Sequence, residues 1–333
     1  MDKYSAYISN ISDLKKDILK SLDFIKWKTN VKSDSTVFIK PNFTYPYFKK
    51  GITTSPDFLK CFMEILKDRA DNVILGESNG GNHSFTADDS FKGHDMSKIC
   101  SDAGVELVNL SDLPYRKIEE KILNKNVSVT LPNLLLDDID CFISVPVLKV
   151  HVMTTVTLSM KNLWGCYPDT MRCLHHKNLN EKLTLITKKL NPKICIMDAS
   201  YALDGHGPMY GEAKKLGMIL SSDNPVVIDS LGTAVMGIPI DNVKHILVAE
   251  KEGLGSTDLE KIQINDDWKK FKMQFSSNKT IIDSLSTILF KSETIAKLVM
   301  DSPVTPMIYG VAKHLRNSSE QDVVNDLERY CDK

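Results

Sequence analysis

Short β-branched apolar runs alternate along the chain with stretches whose apolar residues recur at three- and four-residue spacing. That alternation predicts an α/β protein with a mixed, largely parallel sheet and flanking helices. Thr36-Val37-Phe38-Ile39-Lys40 reads as a strand ended by Pro41 and Asn42. Ser55 as N-cap and Pro56 at the first helical position open a helix with an apolar stripe at Leu59, Phe62, Met63 and Leu66. Val73-Ile74-Leu75 is the next strand and runs into Gly76-Glu77-Ser78-Asn79-Gly80-Gly81. A helix over 96–103 stops at Gly104, and 105–110 returns as a strand. Cys141-Phe142-Ile143-Ser144-Val145 is apolar throughout, as a strand covered on both faces is. A helix is expected over 154–163, ended near Gly165.

The pattern then repeats. Residues 194–198 and 216–220 read as strands, with Asp198-Ala199-Ser200 closing the first; Asn224-Pro225 opens a helix to Val235, and 243–251 forms another. From Asp266 onward helical spacing dominates, at 280–290 and 294–300. The expected organisation is two α/β lobes, residues 1–165 and 166–265, followed by a helical C-terminal extension over 266–333. The extension suits packing or subunit contact, the latter implying a homo-oligomer.

Composition narrows the function classes. The 333 residues carry 42 Lys+Arg against 43 Asp+Glu, a net charge of −1, so the basic surplus of a nucleic-acid binder is missing. No run of eighteen uncharged apolar residues occurs, which argues against membrane insertion, and the opening Met-Asp-Lys-Tyr does not resemble a leader. A cytoplasmic location is the expectation. Cysteines at 61, 100, 141, 166, 173, 195 and 331 form no C-x-x-C, so this chain holds no iron–sulfur or zinc-ribbon motif.

In open α/β sheets ligands bind beyond the carboxyl ends of the strands. Three predicted strands deliver polar groups there: Lys40 and Asn42, then Glu77, Ser78 and Asn79, then Lys149 and His151. The glycine loop at 76–81 and the helix start at Ser55 suit an anion, although turn and cap chemistry accounts for both as readily. Lys149 and His151 project to one side of an extended segment, with His151 suited to proton transfer and Lys149 to clamping or tuning. Lys161 and Asn162 are candidates to bind substrate or cofactor, though a lysine at a helix end also complements the dipole. Asp198 is placed to orient a cationic partner. Cys166, Cys173, His175 and His176 bunch together, and His175 and His176 are the candidates for a divalent metal. Asp229, amid Val226, Val227, Ile228 and Leu231, needs a cation or loop amides as partner. These groups point to a small anionic metabolite and to proton or hydride transfer of the isomerase or oxidoreductase kind.

Ile39-Lys40-Pro41-Asn42, Gly76-Glu77-Ser78-Asn79-Gly80, Val145-Pro146-Val147-Leu148-Lys149-Val150-His151, Leu158-Ser159-Met160-Lys161-Asn162-Leu163-Trp164-Gly165 and Ser222-Asp223-Asn224-Pro225-Val226-Val227-Ile228-Asp229 occur in this order. Together they resemble the family called domain of unknown function 362 over about residues 35 to 255. The resemblance implies a soluble prokaryotic protein, often joined to a ferredoxin-type cluster domain; for a chain without cluster cysteines the alternative to an enzyme is a non-catalytic ligand-binding or redox-assembly protein working with a ferredoxin-like partner. A more distant similarity is to the catalytic component of lactate racemase. It implies a nickel-containing cofactor tethered at Lys161, with His176 or His175 as nickel ligand, and epimerase chemistry.

Overall fold

The computed structural model describes residues 4–277, 280, 289, 292–300 and 318–331. Most of the helix expected over 280–290 lies outside the described residues. The strands are β1 (Ser5–Asn10), β2 (Thr36–Pro41), β3 (Asn72–Glu77), β4 (Glu106–Asn109), β5 (Tyr115–Ile122), β6 (Lys125–Pro132), β7 (Cys141–Val145), β8 (Val147–His151), β9 (Thr155–Thr157), β10 (Ile194–Asp204), β11 (Glu212–Ser222) and β12 (Gln263–Ile264). All but the β5–β6 hairpin belong to one ten-stranded sheet of order β12-β1-β11-β10-β7-β2-β3-β4, to which β8 adds through β10 and β9 through β8. Strands from both sides of residue 165 join this sheet, and β2, β3, β4, β7 and β10 run parallel. It is a mixed α/β fold with flanking helices.

Helices α1 (Leu14–Phe24), α2 (Pro56–Lys67), α3 (Ala87–Gly93) and α4 (Met96–Ala103) bury their apolar stripes against one face, where Phe58, Leu59, Phe62 and Met63 meet Val37, Ile39, Ile143 and Ile196. Helix α4 stops at Gly104 because that residue takes a left-handed φ of 65°. On the opposite face α5 (Asn133–Asp137) and α7 (Leu179–Leu190) pack with the hairpin, while α8 (Pro225–Val235) and α9 (Lys244–Lys251) cover β8, β10 and β11. Asn224 caps α8 with its side chain, accepting from Val226 N and Val227 N at 2.9 and 3.2 Å.

Two elements differ from the sequence reading. The helix expected over 154–163 is instead β9 followed by the short helix α6 (Ser159–Asn162). Thr155, Val156 and Thr157 are β-branched and pair antiparallel with His151, Val150 and Lys149, so the burial of Val156, Met160 and Leu163 reflects a packed core and not a helical stripe. The other is β10, which does not end at Ser200. Its register shifts between Ala199 and Tyr201 as Ser200 N turns to Asp198 Oδ1 at 3.0 Å, and the strand continues to Asp204.

A helix over Glu293–Met300 and a C-terminal helix over Ser318–Cys331 complete the described chain. The C-terminal helix packs on its own chain. Tyr45 Oη donates to Asp326 Oδ2 at 2.5 Å, Tyr47 Oη donates to the same oxygen, and Glu320 Oε1 lies 2.6 Å from His206 Nδ1. Among the described residues no helix is long and apolar enough to cross a membrane.

Candidate functional site

Strand β2 has β3 on one side and β7 on the other, so the chain direction of the sheet's build-up reverses there and opens a crevice beyond the carboxyl ends. Lys40 from β2 and Glu77 from β3 meet in it as a buried ion pair of 2.6 Å, their side chains 1% and 5% exposed. Lys40 Nζ also donates to Pro41 O at 2.8 Å, and the Glu77 carboxylate accepts from the amides of Phe43 and Ser78, both at 3.1 Å. These contacts satisfy the two charges internally. Gly165 is needed beside them, because a Cβ there would stand 2.7 Å from Glu77 Oε1 and 2.8 Å from Lys40 Nζ.

Lys149 is fully buried on β8, and its Nζ donates to Ile52 O at 2.7 Å and to Asn42 Oδ1 and Thr44 Oγ1 at 3.1 Å. Burial and the neighbouring Lys161 push its pKa well down, while three oxygen acceptors match the three protons of an ammonium. The side chain is thereby a strut for the loop after β2. His151 reaches the crevice from the same strand. Met153 N donates to its Nδ1 at 3.0 Å, so the neutral ring carries its hydrogen on Nε2. Burial and the cations Lys161 and Lys149 hold the pKa of His151 well below the usual histidine range, which keeps the ring neutral. A ring in this state offers a hydrogen-bond donor at Nε2 to the cavity.

Lys40, Asn42, Glu77, Ser78, His151, Lys161, Asn162 and His176 line one cavity of about 450 Å³. Asn162 ties the β2 and β7 ends together, donating to Lys40 O at 3.1 Å and Ser144 Oγ at 3.4 Å. This holds α6 over the crevice, as does Asp229, which accepts from Ser159 N and Met160 N at 2.6 and 2.9 Å. Of the two partners open to Asp229, it takes the loop amides. Burial pushes its pKa up to about 8, against the pull of those amides.

Lys161 lies within α6, and its ammonium has neither a hydrogen bond nor an ion pair among the described residues; it stands 6.0 Å from the centroid of the Trp164 ring. Burial and the charge of Arg172 push its pKa down to about 7. Arg172 was not singled out from the sequence, where it is one polar residue in a loop. It is nonetheless buried in the cavity wall. Its Nη1 donates to Ser78 Oγ at 2.7 Å and Tyr167 O at 3.1 Å, and its Nη2 donates to Asn79 O. All three acceptors are uncharged, and among the described residues no carboxylate pairs with it. Trp164 Nε1 and Thr157 Oγ1, in the same lining, are buried without a hydrogen-bond partner among the described residues.

Five expected site residues lie outside this lining: the strut Lys149, and Asp198, Ser55, Asn79 and His175. Asp198 orients no cation; Ser55 N donates to its Oδ2 at 2.9 Å and Ser200 N to its Oδ1. Its carboxylate thus occupies the start of α2, so the anion position expected at Ser55 is filled from within the chain. Asn79 is structural, accepting from Ala87 N at 2.8 Å and Asn109 Nδ2 at 3.1 Å. His175 turns to Asp169, with Nε2 2.9 Å from Oδ2, and stacks on Tyr167. Only His176 of the histidine pair faces the cavity, with burial and Lys161 pushing its pKa well down. Among the described residues no three His, Cys, Asp or Glu side chains converge as a metal site. The donor set around Lys161 and His176 among the described residues does not fit a nickel centre.

Fold and site define an α/β protein with a polar cavity at the switch point of its sheet, lined by Lys40, Lys161 and Arg172 and by Glu77 and Glu328. The model of the family described as Domain of unknown function (DUF362) matches residues 37–234, and the chain belongs to that family. A thylakoid-associated protein of Synechocystis sp. is 31% identical over 130 residues, which are 37% of this chain and 40% of that protein. The match thus spans less than half of either. No solved structure matches the chain significantly.

Proposed function

We propose that this chain is an enzyme that moves a proton on a small anionic metabolite. The observation that carries the reading is the presence of two cations, Lys161 and Arg172, in one cavity wall without an ion pair to either among the described residues, the Glu77 carboxylate of the same lining being paired with Lys40. A buried charge without a counter-charge is costly, and a bound anion supplies one. Arg172 keeps its Nε–H and one Nη2–H beyond the three hydrogen bonds it makes, enough for a carboxylate or phosphate oxygen pair. Trp164 Nε1 and Thr157 Oγ1 add donors and no fixed negative charge.

The chemistry follows from the states of two side chains. With a pKa near 7 the Lys161 amine is partly neutral at physiological pH, and it takes a proton from carbon beside the substrate's carbonyl or hydroxyl. His151, neutral with its hydrogen on Nε2, donates to the oxygen on which negative charge grows. Return of the proton from the Lys161 ammonium to either face or to the adjacent carbon completes an isomerisation. Lys40 and Glu77 shape the floor, and their charges cancel.

The test is hydrogen–deuterium exchange in heavy water, followed by NMR, over a panel of small 2-hydroxy and 2-oxo carboxylates. Wild type should wash out one carbon-bound hydrogen of a panel member, and Lys161→Met should not. Exchange by Lys161→Met at the wild-type rate would remove the base from the proposal.

A further inference from the structure

The cavity has two chemically different parts. The crevice beyond β2 and β7 supplies the donors, whereas Phe85, Pro208, Met209 and Tyr210 together with Val324 and Leu327 of the C-terminal helix supply apolar surface, and the same helix brings the exposed carboxylate of Glu328 to the lining. That helix lies outside the stretch that the family model matches, yet it contributes to the wall. Its seat is built from both directions. Val323 belongs to an apolar cluster with Tyr45, Ile52 and Leu203, and Met209, Tyr210 and Leu327 pack against it. Asp326 takes the hydroxyls of Tyr45 and Tyr47, with Lys49 Nζ 3.7 Å away, and Glu320 meets His206. These ties fix the helix while Val324 and Leu327 face the cavity.

From this division we infer that the ligand is an anion bearing an apolar substituent, and that Val324 and Leu327 read the size of the substituent. The inference rests on the proposed anionic substrate and adds its other end. A charged head alone would leave the apolar wall facing water. A chain or ring reaching the C-terminal helix removes that surface from water, at about three- to fourfold in affinity for each methylene buried.

The experiment is calorimetric titration of the full chain with straight carboxylates from acetate to decanoate at pH 6, with the alkanols of equal length as uncharged controls. Affinity should climb with chain length and then level off, and alkanols should bind at least tenfold more weakly. Leu327→Trp should bring the levelling to a shorter chain, and Val324→Ser with Leu327→Ser should lower the gain per methylene. Circular dichroism verifies that each variant keeps its helix content. Carboxylates binding equally at every length would overturn the apolar subsite and leave the anion reading standing. Alkanols binding as well as carboxylates would overturn the anion reading and leave the subsite. No binding by either series would overturn both.

Discussion

At the scale of single residues, the site is decided by which lysine has its charge satisfied. Lys40 is held by Glu77, Lys149 by three oxygens, and Lys161 by none of the described residues. The sequence presents Lys40 and Lys149 near strand ends and Lys161 at a helix end, and only packing separates two satisfied lysines from one without a partner among the described residues. Since the pKa of Lys161 falls from 10.5 to about 7 on folding, the unfolded chain binds more protons between those values. Its cost to stability is therefore full below pH 7 and fades as pH rises toward 10.5. Lys161→Met should melt above wild type at pH 6, and the two melting curves should converge near pH 10. The buried pair behaves oppositely: Glu77→Gln or Lys40→Met strands one charge and should cost roughly 3–5 kcal/mol in urea denaturation. Replacing both by apolar residues should recover much of that loss. Gly165→Ala, which presses a methyl onto the same pair, should cost about 1–3 kcal/mol.

At the scale of elements, strands β2, β3 and β7 and helices α2, α4, α8 and α9 were legible because caps, proline, glycine and uniform apolar runs act locally. Residues 155–157 were not, because apolar spacing over so short a stretch fits strand and helix alike, and pairing with β8 decides. The helix that carries Lys161 owes its position to Asp229. Asp229→Ala orphans the amides of Ser159 and Met160 and should cost about 2–4 kcal/mol, with a parallel fall in turnover as Lys161 shifts. Asp229→Asn, which keeps an acceptor and removes a charge that burial disfavours, should lose about 1 kcal/mol, measurable by the same denaturation.

Over the whole molecule, the grouping of Lys40, Asn42, Glu77, Ser78, His151, Lys161 and Asn162 around one cavity follows from sheet order, which parallel alternation foreshadows. Contacts that depend on distant chain segments stayed hidden. Asp198 reaches Ser55 across 143 positions, and Tyr45 reaches Asp326 across 281, so neither the filled helix start nor the C-terminal helix over the cavity had a local signal. Arg172 gave no signal either, since its value lies in acceptors supplied by the turn after β3. The central claim is that this cavity holds an anion against Arg172 and Lys161. Its most direct measurement is the anomalous diffraction of crystals soaked in bromide at pH 6, where both side chains are charged. The account predicts a bromide peak in contact with both; strong peaks confined to the outer surface, with none in the cavity, would contradict it.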